Sequence, residues 1–165
     1  MQTRHWTMAI LRGTAVAIGV ALFSAAASVA GSDRDAVVAA NAQFYVALNQ
    51  MFVGEVAPME AVWSHAGDVT YMGPGGQFDC GWSAVLKLWQ VQAAMKLGGH
   101  VEPAGMQTIV GRDLAVVSVY EEGENANAKG KVARVKLRAT NLFRKEDGKW
   151  KMVGHHTDLL PYLTK

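Results

Sequence analysis

The sequence has 165 residues, about 50% of them apolar, with 16 basic residues, 14 acidic residues and one cysteine. This length supports one compact domain with a hydrophobic core, and a second domain of ordinary size is not expected. A single cysteine excludes a disulfide within the chain. We expect Cys80 to be buried as a small apolar side chain, with an accessible free thiol as the alternative.

The first 30 residues have the pattern of a secretory leader. Arg4 and Arg12 precede the apolar run Gly13–Ala30, which ends in the small residues Ser28-Val29-Ala30. The run is short of the ~20 apolar residues that a membrane-spanning helix needs, although an uncleaved anchor is the alternative. We therefore predict a signal peptide over residues 1–30, a periplasmic or secreted protein, and no stable membrane anchor after cleavage.

Removal of that leader leaves a nearly neutral chain, because 14 basic residues then face 14 acidic ones. Nucleic-acid binding, which depends on neutralising phosphates, is therefore not predicted. No cofactor is predicted either. Residues 31–165 contain no internal repeat and no low-complexity segment, so we predict that they form one domain.

Helical periodicity dominates the first half of this domain. Apolar residues recur at helical spacing between about residues 33 and 52, which predicts a first helix. Pro58 opens a second, shorter helix over residues 58–66. A short strand over residues 68–73 and a third helix over residues 82–99 follow.

Strand periodicity replaces helical periodicity from His100 onward. The predicted strands cover residues 100–110, 113–123, 129–146 and 149–159, and turn-rich segments separate them. Helices followed by antiparallel strands define an α+β domain. We expect three N-terminal helices packed on one face of a curved, mostly antiparallel sheet.

Three segments in this order carry a resemblance to a known family. They are FYVALN at residues 44–49, MEAVWSHAGDVTYMGPGG at residues 59–76 and RATNLFRKEDGKWKMVGHHTD at residues 138–158. The chain resembles the nuclear transport factor 2-like superfamily, and within it the SnoaL-like domains related to ketosteroid isomerases. The resemblance implies a cone-shaped fold, an open cavity between helices and sheet that holds a small molecule, and a homodimer formed through the sheet.

The catalytic residues of ketosteroid isomerases are not carried over by this resemblance. The tyrosine of the first helix falls on Phe44, the base before Pro74 falls on Gly73, and the acid of a late strand falls near Thr140. Tyr45 lies one step along the helix, about 100° away, and is not expected to substitute. Steroid isomerisation is therefore not predicted, and whether the chain is an enzyme stays open.

Two adjacent histidines near the C-terminus are the main candidates for chemistry. In a regular strand, His156 shares a face with Trp150 and Met152, and His155 lies on the opposite face. We therefore predict that His156 points into the cavity as an acid or base. A structural, hydrogen-bonded histidine is the alternative.

A metal site would need further ligands, because the two histidine rings are expected to point apart. His65, His100 and Asp158 are the available groups, and their spacing matches no metal motif. No metal site is predicted.

One strand is expected to have an apolar face and a basic face. Arg134, Lys136 and Arg138 alternate with apolar residues. We expect this basic row to face solvent or a dimer contact. The alternative is a bulge that places an arginine at the cavity mouth, where it would receive a carboxylate or phosphate.

The leading hypothesis is an exported domain that binds a small, partly apolar molecule. The predicted ligand-binding residues are Trp63, Tyr71, Asp79, Trp89, Arg138, Thr140, His155 and His156. One alternative is an acid–base enzyme that uses His156 with help from Tyr71 or Asp79. The other is a homo-oligomeric assembly module.

Overall fold

The structure is a computed structural model that describes residues 18–126 and 130–159, with side chains described from Ser32 onward. Three helices, α1 to α3, precede most of the strands. The helices are α1 (Ile18–Met51), α2 (Ala57–Val62) and α3 (Trp82–Ala94). The strands are β1 (Thr70–Met72), β2 (Phe78–Cys80), β3 (His100–Val110), β4 (Leu114–Ala126), β5 (Val132–Glu146) and β6 (Lys149–Leu159).

All three helices differ from the sequence prediction at their ends, and α3 ends at Ala94 and not at residue 99. Helix α1 begins at Ile18 and not near residue 33, so its first turns fall within the predicted leader, of which residues 1–17 lie outside the described part. Helix α2 ends at Val62 because Trp63 adopts an extended conformation and forms a parallel bridge with Met152 of β6. Within the described ranges, no helix is long and apolar enough to cross a membrane.

The six strands form one sheet in the order β2-β1-β6-β5-β4-β3. Every neighbouring pair is antiparallel except β1 and β6, so the predicted α+β architecture of helices on a mostly antiparallel sheet is confirmed. Sequence reasoning missed β2, because three residues carry no measurable periodicity. Cys80 lies on this edge strand and is exposed, so its predicted burial is wrong.

A bulge in β6 changes which side chains face the helices. Leu142 of β5 pairs with Gly154 and Phe143 pairs with Met152, so Val153 is an extra residue in β6. An extra residue reverses the alternation of every side chain that follows it. The Leu142 side chain packs over Gly154, so an added Cβ would lie 2.6 Å from Leu142 Cδ1 and this side chain would have to shift.

Asn49 fastens the end of α1 to the start of β3. Its Nδ2 donates to the carbonyl oxygen of Val101 at 2.9 Å, and its Oδ1 accepts from the Val101 amide at 2.8 Å. Both partners are backbone groups that would otherwise lose a hydrogen bond at a partly buried position. This pair of bonds sets one wall of the space between helix and sheet.

We predict that Asn49→Ala lowers the free energy of unfolding by about 2 kcal/mol, because it leaves two backbone groups unpaired. Chemical denaturation of both proteins measures the difference. Gln43→Ala at an exposed position of α1 is the matched control and should change the value by less than about 0.5 kcal/mol. Equal effects of the two substitutions would contradict a fastening role for Asn49.

Candidate functional site

A cavity of about 290 Å³ lies between the helices and the inner face of the sheet. Its walls are mainly apolar and are contributed by α1, α3, the segment after α3, and strands β1, β3, β4, β5 and β6. The apolar side chains include Leu48, Phe52, Leu97, Val101, Leu137 and Leu159. Since one water takes up about 30 Å³ in the liquid, the cavity has room for roughly ten waters.

Aromatic rings form the wall on the side of α3 and β1. Tyr71 and Trp89 meet edge to face with ring centroids 5.0 Å apart, and both line the cavity. Gln92 donates a hydrogen bond to the Tyr71 hydroxyl at 3.3 Å. Burial raises the pKa of Tyr71 above its ordinary value of 10.0, so this phenol stays protonated at neutral pH.

Glu121 is a buried carboxyl group in this largely apolar cavity. Its Oε1 accepts a hydrogen bond from the Tyr45 hydroxyl at 3.1 Å, and only 4% of the residue is exposed. Burial raises the pKa of Glu121 to about 7, although the hydrogen bond from Tyr45 opposes the rise. Glu121 is therefore largely protonated below neutral pH and can donate a proton.

His155 lies beside Glu121, with its Nε2 3.8 Å from Glu121 Oε1. Its Nδ1 is 2.6 Å from Oδ1 of Asn141. Burial, together with the positive charge that His156 can carry, lowers the pKa of His155 to about 3. The ring is therefore neutral at neutral pH.

Asn141 holds this group of side chains together. It is fully buried, and its Nδ2 donates to Asn41 Oδ1 at 2.8 Å and to the Tyr45 hydroxyl at 3.3 Å. These bonds leave Oδ1 of Asn141 to face His155. An amide oxygen only accepts, so Nδ1 of His155 carries the hydrogen and Nε2 has a free lone pair.

The structure brings together three of the residues predicted from sequence to bind ligand. Tyr71, Trp89 and His155 line one cavity. Asp79 pairs with Tyr71 across the β1–β2 hairpin but does not line that cavity. Trp63 packs behind the wall, 6.1 Å from Trp89 between ring centroids, and is part of the core.

The remaining predicted residues lie on the outer face of the sheet. His156 is exposed and pairs with Thr140, and Arg138 bonds to Asp158 at 2.8 Å. The predicted inward orientation of His156 is wrong, because the extra residue Val153 reverses the alternation assumed for a regular strand. His155 takes the inward place instead.

The three basic residues of β5, Arg134, Lys136 and Arg138, lie in different environments. Lys136 forms an ion pair with Glu122 at 3.1 Å, and Arg138 pairs with Asp158 on the outer face. Arg134 is exposed and, with Lys136, borders the opening of the inner cavity. The row is thus solvated, as expected, and its first two members also reach the cavity mouth.

Sequence reasoning missed Tyr45, Glu121 and Asn141. The signal for the two strand residues is alternation: Glu121 falls in phase with Val117 and Val119, and all three are buried. Asn141 falls in phase with apolar neighbours in β5 in the same way. Tyr45 was expected to turn away, yet it is buried, because the inner stripe of α1 is wide enough for two neighbouring rings.

None of the described residues forms a group of three or more His, Cys, Asp and Glu that could hold a metal ion. His65 stacks on Trp82 with ring centroids 4.4 Å apart, and His100 lies 4.0 Å from Glu102 at an exposed position. Neither histidine lines the inner cavity.

The SnoaL-like domain family matches residues 37–160. This chain belongs to that family, so the predicted membership is confirmed. A comparison with curated proteins finds no match.

Solved structures share the same fold. A candidate dehydratase of the NTF2-like family from Streptomyces avermitilis is 23% identical, covers 79% of this chain and 98% of its own, and gives a TM-score of 0.70. A candidate calcium/calmodulin-dependent protein kinase type II association domain from Thiobacillus denitrificans is 25% identical over 74% of this chain and 93% of its own, with a TM-score of 0.63. An NTF2-like protein with a cystatin-like fold from Novosphingobium aromaticivorans is 17% identical over 88% of this chain and 93% of its own, with a TM-score of 0.68.

The raised pKa of Glu121 predicts a pH-dependent stability. The folded state holds its proton up to about pH 7, whereas an exposed glutamate has a pKa near 4.5. The stability due to the neutral carboxyl is therefore complete below pH 4.5 and is lost as the pH rises through 7. Relative to Glu121→Gln, we expect the wild type to lose about 3 kcal/mol of unfolding free energy across this range.

Denaturation at several pH values measures this difference. Glu124→Gln, at an exposed position of the same strand, is the control and should leave the pH dependence unchanged. A difference between wild type and Glu121→Gln that does not vary with pH would mean that this carboxyl group has the same pKa in the folded and unfolded states, and would contradict the raised pKa of Glu121.

Proposed function

We propose that this domain binds a small, mainly apolar molecule in its inner cavity, with the polar end of that molecule at Glu121 and His155. The observation that carries the proposal is an apolar cavity of about 290 Å³ whose lining includes three titratable groups with shifted pKa values, Tyr71, Glu121 and His155. Apolar pockets with a few convergent polar groups are typical of small-molecule sites. The family includes members that bind ligands and members that resemble isomerases.

The size and charge of the cavity narrow the range of ligands. Room for roughly ten waters suits a molecule of about 10 to 15 non-hydrogen atoms. Below pH 7 both Glu121 and His155 are neutral, so burying a formal charge beside them would go uncompensated. Arg134 and Lys136 also line the cavity, but Arg134 is exposed and Lys136 is paired with Glu122. A neutral molecule with one or two rings fits these conditions.

The binding proposal predicts that filling the cavity abolishes binding. Leu97 lines the cavity and is half-buried, so Leu97→Trp should displace the ligand by occupying its volume. Ile109→Trp, on a residue that is 73% exposed, is the control that adds the same side chain outside the cavity. Thermal-shift and calorimetric screening with neutral one- and two-ring compounds measures binding.

We expect the wild type and Ile109→Trp to bind the same compounds and Leu97→Trp to lose at least about tenfold in affinity. Native mass spectrometry of the purified protein provides a second readout, because a retained organic molecule would appear as added mass. Binding that survives in Leu97→Trp would place the ligand elsewhere and contradict the proposal.

An acid–base enzyme is the second candidate, now with His155 in place of His156. Two titratable neighbours whose pKa values are pushed apart, Glu121 upward and His155 downward, are typical of an acid and base pair. On a bound ketone, Nε2 of His155 would take a proton from the α-carbon while the Glu121 carboxyl gives its proton to the carbonyl oxygen. The product is the neutral enol, and no co-reactant is needed.

Deuterium exchange tests this reaction. We expect the protein to accelerate exchange of the α-protons of 2-tetralone in deuterated water, and we expect Glu121→Gln to lower the rate about 100-fold or more by removing the proton donor. The measurement is the loss of α-proton NMR signal with time. Exchange no faster than in buffer, under conditions where 2-tetralone is shown to bind, would rule out this acid–base function for ketones.

A further inference from the structure

The hydrogen bonds around Asn141 fix the direction in which His155 presents its lone pair. Nδ2 of Asn141 donates to Asn41 and to Tyr45, so its oxygen is the atom that meets His155 Nδ1 at 2.6 Å. That contact requires the hydrogen on Nδ1. The neutral ring therefore offers Nε2 purely as an acceptor, on the side of Glu121.

Glu121 complements this acceptor with a donor. The Tyr45 hydroxyl already donates to Oε1 of Glu121 at 3.1 Å, so a proton on this carboxyl group is directed elsewhere. Both Glu121 and His155 line the cavity. Burial of Glu121 raises its pKa to about 7, which keeps the donor present in mildly acidic solution.

The distance between His155 and Glu121 allows a single ligand atom to contact both groups. Nε2 of His155 and Oε1 of Glu121 are 3.8 Å apart, which is too long for a direct hydrogen bond. An oxygen atom placed to one side of the pair can lie about 2.8 Å from both atoms. That oxygen must donate to Nε2 and accept from the carboxyl group.

We propose that Glu121 and His155 together recognise a hydroxyl group, and that the ligand is a neutral alcohol or phenol whose hydroxyl donates to His155 and accepts from Glu121. This inference rests on the proposed binding function. A carboxylate has no hydrogen to give to Nε2, and an ether or ketone can only accept from Glu121. An ammonium group can donate but has no lone pair to accept.

Three compounds with the same ring system separate these possibilities. The probes are 2-naphthol, 2-methylnaphthalene, which has a methyl group of similar size in place of the hydroxyl, and 2-methoxynaphthalene, which accepts but does not donate. Calorimetry with the full chain at pH 6, where the Glu121 carboxyl is largely protonated, gives the three affinities. We expect 2-naphthol to bind at least about tenfold more tightly than either of the others.

The outcomes distinguish this inference from the binding proposal on which it rests. Equal affinity for all three compounds would overturn hydroxyl recognition while leaving an apolar binding site in place. Tight binding of both 2-naphthol and 2-methoxynaphthalene would remove His155 as the acceptor. Failure of all three to bind, together with the broader panel of neutral compounds, would overturn both proposals.

Two neighbouring histidines give a matched pair of variants. His155→Phe keeps a ring against Phe44, which lies 4.9 Å from His155 between ring centroids, but removes the acceptor. We expect it to bind 2-naphthol no better than 2-methylnaphthalene. His156→Phe changes an exposed residue of the outer face and should keep the full preference.

A preference for 2-naphthol that persists in His155→Phe would overturn the role of His155. If that variant does not fold, the comparison of the three compounds with the wild-type chain still decides the proposal.

Discussion

The chemistry of the cavity depends on one extra residue in β6. Val153 interrupts the pairing between β5 and β6, and the side chains beyond it change faces. Without this bulge, His156 would meet the cavity and His155 would lie outside. The Leu142 side chain packs over the neighbouring Gly154, in the space that a Cβ would occupy. A local irregularity of the backbone thus selects which of two adjacent imidazoles is removed from water.

Removal from water then determines the protonation of the whole group. A charged carboxylate or imidazolium would be costly at these buried positions, so burial raises the pKa of Glu121 and lowers that of His155. The hydrogen bonds from Asn141 to Tyr45 and from Tyr45 to Glu121 run in one direction. Asn141 and Tyr45 therefore each donate to an acceptor without any formal charge, and the network is compatible with an apolar ligand beside it.

Sequence reasoning predicted most of the fold but less of the site. Strong strand periodicity located β3 and β6 at their observed bounds, and the order of helices and strands gave the α+β class. The alternation that predicted a cavity-facing His156 assumed a regular strand, and nothing in the residue pattern marks Val153 as a bulge. The burial of Glu121 could have been predicted, because this residue alternates in phase with Val117 and Val119.

The part of the site that sequence reasoning could not predict is formed by contacts between segments that are distant in the chain. Tyr45 and Glu121 are 76 residues apart in the chain, and Asn41 and Asn141 are 100 residues apart. Periodicity assigns each of these residues to a face of its own helix or strand, but it does not identify the partner across the cavity. The polar network is a property of the packed helix and sheet together.

NMR titration of His155 in ¹⁵N-histidine-labelled protein tests the central claim most directly. The account predicts that His155 stays neutral between about pH 5 and pH 8, since its pKa is lowered to about 3, and that the hydrogen lies on Nδ1 throughout. Charging of His155 near its ordinary pKa of 6.5, or a hydrogen on Nε2, would contradict it. Either result would remove the acceptor on which the proposed ligand recognition depends.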